Sequence, residues 1–161
     1  MNTLITTLQQ QLALMIELRD LLKRETGELS SVNVTAMNEI NLLKEDVSSR
    51  MSVHAAKVRS DIQSACAAEG LPSSTTLGEL AARLGQKGNR DIVSLHARLN
   101  ETGDQIRELL AFNREIAEKF AASLGNSLEF VSRIINQTST YGASGSYQQR
   151  PAGSVLINRE A

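Results

Sequence analysis

Few side chains in this chain could do chemistry. His54 opens the run His54-Ala55-Ala56-Lys57, an imidazole with an ammonium one helical turn further on. That pair could carry phosphoryl transfer, with the imidazole as nucleophile and the lysine steadying the phosphoryl charge. Such transfer wants a small residue next, so that a partner protein can approach closely; here Val58 and Arg59 follow. His54 also falls near the apolar seam between Met51 and Val58, where a core or rim role is commoner. His96 has no cysteine, second histidine or paired carboxylate at ligand spacing, so a structural or surface role is expected rather than a metal site. Cys66 is the only cysteine, which excludes an internal disulfide and fits a reducing compartment. It stands among Ala65, Ala67 and Ala68 with no activating charge and reads as a small core residue. No glycine loop leads into a Lys-Ser or Lys-Thr pair, and no serine sits in a nucleophile elbow. The expectation is a binding protein, not an enzyme, with no cofactor.

The elements that must carry these residues are helices. Leu4, Leu8, Leu12, Met15, Leu18 and Leu22 step by three or four and predict a helix over about 3–28, with Gly27 and the Ser30-Ser31 pair marking a turn. Asn33 suits the N-cap of a second helix over 34–68, which Gly70 and Pro72 stop. Thr76 followed by Glu79 reads as a capping box opening a short helix over 77–84, closed by Gly85. The third long helix runs over 89–137, where Ile92, Leu99, Ile106, Asn113, Phe120, Ser127 and Ile134 recur every seven residues. Leu95, Leu109, Ile116 and Phe130 fill the intervening position. These spans predict an all-α domain over 1–137, a long antiparallel coiled-coil-like three-helix bundle. Residues 138–161 lose all periodicity and read as a flexible partner-binding tail.

Asn113 breaks an otherwise apolar column. Buried, it would fix register or oligomer state; if the seam rotates locally, it faces solvent. At 1.5 Å per residue the three long helices span roughly 40, 50 and 70 Å, so the last should overhang the others. That overhang carries Leu124, Leu128, Val131, Ile134 and Ile135, a stripe that needs either a second copy of the chain or another protein to cover it. All five aromatics, Phe112, Phe120, Phe130, Tyr141 and Tyr147, lie in the last third of the chain, as residues of an interface or simply of a core. The formal net charge is −1 with acids and bases interspersed, which leaves no electrostatic footprint for nucleic acid or an anionic membrane. The N-terminus lacks a basic segment followed by an apolar core, and no stretch reaches the ~18 apolar residues of a spanning helix. A cytoplasmic protein with no membrane insertion is expected.

Three motifs carry a resemblance. Met37-Asn38-Glu39-Ile40-Asn41-Leu42-Leu43-Lys44 is similar to the start of helix two in the FlgN family of flagellar type III export chaperones. Arg107-Glu108-Leu109 leads to Asn113, where that family often has paired asparagines; Leu110 stands in place of the first. Tyr141-Gly142-Ala143-Ser144-Gly145 resembles the family's Tyr-Gly-x-x-Gly start of the tail. The resemblance implies a cytoplasmic chaperone that binds hook-associated (hook-filament junction) proteins, shields their disordered C-terminal ends, and delivers them to the cytoplasmic domain of the membrane export gate. It implies gate binding by Tyr141 and cargo binding by the last-helix stripe, Phe120, Leu124, Leu128, Val131, Ile134 and Ile135. Two rival readings stand beside it: a histidine phosphotransfer module acting through His54, and a structural coiled-coil subunit that buries its stripe in a homodimer.

Overall fold

In a computed structural model of the protein, residues 2–137 can be described, and the expected tail with Tyr141 lies outside them. The chain forms α1 (Asn2–Ser31), α2 (Val34–Ala68), α3 (Leu77–Gln86) and α4 (Arg90–Gln137), with no strand among the described residues. It divides into two compact units, Met1–Ala117 and Glu118–Ala161, whose boundary falls inside α4.

Within the first unit the polar contacts reveal the directions of the helices. Thr7 Oγ1 donates to Asp61 Oδ2 at 2.6 Å, Arg50 pairs with Glu17, and Lys44 pairs with Glu25. As α1 numbers rise, their α2 partners fall, so the two helices are antiparallel. Against α4 the trend reverses. A Cβ placed on Gly103 would lie 3.6 Å from Met15 Cε, Arg19 reaches Gln105, and Thr26 reaches Asn113, so α1 and α4 run parallel.

The core gathers Leu4, Leu8 and Leu12 from α1, Cys66 from α2, Leu80, Ala81 and Leu84 from α3, and Ile92, Leu95 and Leu99 from α4. The long connection between α2 and α4 is therefore packed: α3 buries its apolar face across one end of the other helices. Its start is fixed by local chemistry. Thr76 accepts from the Glu79 backbone N–H, and Glu79 reaches back to the Thr76 backbone N–H at 2.7 Å, a complete capping box. Asn33 likewise caps α2 by accepting from Ala36 N–H.

Two glycine-based expectations differ from what forms. The turn after α1 is not at Gly27 or Ser30-Ser31. The helix continues to Ser31, with the Ser30 and Ser31 hydroxyls bonding back to the Thr26 and Gly27 carbonyls, and the chain reverses at Val32, with φ 54°. At the end of α3 it is Gly88, at φ +92°, that takes the left-handed conformation. Gly85 stays inside the helix, and a Cβ there would come within 2.7 Å of Val93 Cγ2 on α4. Its purpose is close approach.

Leu80→Ala, which empties a fully buried position, should lower unfolding free energy by about 2–5 kcal/mol, read from urea titration. A smaller loss would mean that α3 is peripheral to the cooperative unit. The Thr76 backbone N–H, and then its hydroxyl, hold the Glu79 carboxyl below the usual carboxylate value. A depressed folded value stabilises above the unfolded pKa of about 4.3 and loses that contribution as pH falls through the folded value. The Tm deficit of Glu79→Ala should therefore be largest near neutrality and shrink on acidification below about pH 4; a deficit unchanged by pH would contradict this origin.

Candidate functional site

The buried seam of α4 consists of Ile92, Leu95, Leu99, Thr102, Ile106 and Asn113. Asn113 is the last buried side chain on the helix among the described residues. Its amide is fully engaged. Nδ2 donates to the Leu22 carbonyl and to Glu25 Oε2, both at 2.9 Å, while Oδ1 accepts from Thr26 Oγ1 at 2.6 Å. Glu25 uses its other oxygen for Lys44 on α2. One amide thus ties three helices of the first unit together. The solvent-facing alternative for Asn113 is overturned, because the seam keeps its face up to this residue.

In the second unit, every described side chain from Glu118 to Ile135 is exposed. Phe120, Leu124, Leu128, Val131, Ile134 and Ile135 are all large and apolar, with exposures from 41% at Phe120 to 64% at Leu124. They continue the helical spacing of the buried seam, since Phe120 and Ile134 belong to the same seven-residue column as Asn113. Local pairs such as Glu129 with Arg133, and the Ser127 hydroxyl on the Ser123 carbonyl, accompany the helix without covering the apolar face. In general, large exposed apolar faces are commoner at surfaces that contact another molecule than elsewhere on a protein.

Phe130, which fills the intervening position of the repeat, is 65% exposed, and Phe112, which lies off both columns, is 52% exposed. All three phenylalanines of the chain are therefore accessible on α4. The confinement of the aromatics to the last third of the sequence is the signal that Phe112 shares with the other two. Phe112 belongs to the first unit, where it lines a shallow groove with Lys23, Gln105, Glu108 and Leu109.

The residues with chemical potential are placed elsewhere. His54 Nε2 lies 3.0 Å from the Thr7 carbonyl, which makes that nitrogen a donor to α1, and the ring is half-buried in a groove lined by Leu14, Glu17, Arg50 and Lys57. His96 packs on Gly78 of α3 and meets the Asn100 amide at 3.2 Å. Cys66 is buried in the core, and burial pushes its thiol above the ordinary value. Among the described residues no group of three His, Cys, Asp or Glu side chains stands together as metal ligands, and no helix is long and apolar enough to cross a membrane.

Comparison with known proteins gives one match. The sequence model of the family described as FlgN protein aligns with residues 1–149. No curated protein and no solved structure matches the chain.

Because Leu128 is 58% exposed, Leu128→Asp should change unfolding free energy by no more than about 0.5 kcal/mol, measured by the same urea titration as for Leu80→Ala. Loss comparable to a core substitution would show that the stripe is already committed to the fold.

Proposed function

The chain belongs to the FlgN family, flagellar export chaperones, and from that premise we propose that it acts in the cytoplasm on hook-associated proteins. In this reading Phe120, Leu124, Leu128, Val131, Ile134 and Ile135 lie against the amphipathic C-terminal helix of such a client. They shield it from premature association and hand it to the cytoplasmic domain of the membrane export gate. The observation that carries the proposal is the run of exposed apolar side chains from Phe120 to Ile135 on one face of a 48-residue helix. An amphipathic helix seats its apolar side chains at i, i+3, i+4 and i+7 against such a face.

The mechanism is binding without covalent chemistry. Burying apolar surface contributes about 25 cal/mol per Å², against roughly 1–2 kcal/mol for each residue of a disordered client that must be ordered. Affinity is the small difference between these terms, which suits a complex that has to come apart at the gate. His54 takes no part, since its Nε2 is engaged with the Thr7 carbonyl. Tyr141, assigned to gate binding through the family's Tyr-Gly-x-x-Gly motif, would separate delivery from client capture. A coiled-coil packing of the long helices accounts for the seven-residue column that runs through both the buried seam and the client face.

Titration with a C-terminal segment of a hook-associated protein tests this. Leu128→Asp/Val131→Asp should weaken binding at least tenfold, about 1.4 kcal/mol or more, while leaving the helix content unchanged. Wild-type affinity in that variant would remove the stripe from the client site. Tyr141→Ala should retain the client segment and lose the isolated gate domain; loss of both would show one shared surface.

A further inference from the structure

Between α1, α2 and the segment leading into α3 lies an open groove of about 480 Å³. Its floor is Ala55, Val58 and Ile62 on one face of α2, and Val58 and Ile62 also pack against the core. Its polar lining comes from three parts of the chain: Gln11 on α1, Arg59 and Gln63 on α2, and Ser73 and Thr75 just past Pro72. No carboxylate lines it. Thr7 meets Asp61 and Glu17 meets Arg50, so Gln11 falls opposite the stretch of α2 that carries Val58 and Arg59.

Two features of this groove have no explanation in the fold. The Gln11 amide oxygen is buried without a hydrogen-bond partner, and among the described residues it is the one buried side-chain polar atom in that state. Such an acceptor gives up its hydration and gains nothing in return. Arg59 has no ion-pair partner among the described residues, and the acids nearest in sequence are engaged elsewhere, Asp61 with Thr7 and Glu69 with Lys87. The orphaned oxygen needs an N–H, the guanidinium needs an anion, and the floor needs hydrocarbon. The last residue of a polypeptide carries all three together: a backbone N–H, a side chain and an α-carboxylate. An internal peptide segment has a neutral carbonyl where the carboxylate would be. A helix arrives with its N–H groups already bonded and has none for Gln11.

We propose that this groove binds a free polypeptide C-terminus ending in an aliphatic residue. Gln11 Oε1 accepts from the last backbone N–H, Arg59 holds the carboxylate with further donors from Gln63, Ser73 and Thr75, and the side chain lies on Val58 and Ile62. The site shares no residue with the exposed face from Phe120 to Ile135, and it stands whether or not the client reading does.

The test titrates the isotopically labelled full chain with acetyl-Gly-Ser-Gly-Leu, followed by NMR. The expected result is saturable shifts at Arg59, Gln63, Ser73 and Thr75, with the C-terminal carboxamide of the same peptide binding about tenfold more weakly or worse. Arg59 is exposed, so Arg59→Gln should keep the fold and abolish the distinction between acid and amide. Gln11→Leu removes the orphaned acceptor; it should raise the urea midpoint while weakening the acid peptide about tenfold. A residue with a merely structural role would not move stability and affinity in opposite directions. Equal binding of acid and amide, unchanged affinity in either variant, or no saturable shift at millimolar peptide would overturn the proposal and leave the groove as solvated surface.

Discussion

The apolar seam of α4 is longer than the part of it that becomes buried, and much of this protein's architecture answers to that excess. Buried side chains on the helix end at Asn113, yet large apolar residues persist on the same spacing to Ile135. Water penalises each exposed apolar group in proportion to its area, and nothing in the local sequence relieves the penalty. A helix can hold such a face in water because its backbone hydrogen bonds are internal and its other faces are charged.

The first unit shows the opposite regime. There, α3 closes one end by placing Leu80 and Leu84 among residues of all three long helices, and Gly85 allows α4 to come close. At the other end of the buried seam, packing gives way to a polar network around Asn113. The unit is anchored by hydrocarbon at one level and by directional hydrogen bonds at another. The first kind of contact is strong and indifferent to alignment; the second is weaker but tolerates few alternatives. The described core is aliphatic, built mostly of leucine and isoleucine, and one fully bonded amide is buried where that packing ends.

Family membership and geometry meet on the same helix. The FlgN match spans residues 1–149 and so includes the whole of α4, the helix that carries the exposed apolar run. His54 and Lys57, the pair most open to a catalytic interpretation, sit on a groove between α1 and α2 with the imidazole tied to a backbone carbonyl. That bond explains a half-buried histidine through helix packing.

The sequence by itself determined whatever depends on neighbours along the chain. The Asn33 cap, the Thr76–Glu79 box and the seven-residue column of α4 are all local, because caps and helical periodicity involve residues within a few positions of each other. Tertiary structure alone decided which glycine turns the chain and which admits a neighbouring helix, since Gly85 and Gly88 are the same residue type three positions apart yet differ in backbone conformation and in what lies opposite. It likewise decided that Asn113 finds Leu22, Glu25 and Thr26, and that Phe112 and Phe130 remain accessible. Periodicity specifies a face, but it does not say what covers that face or where the cover ends. Those answers depend on residues far apart in the chain that meet only when the helices pack.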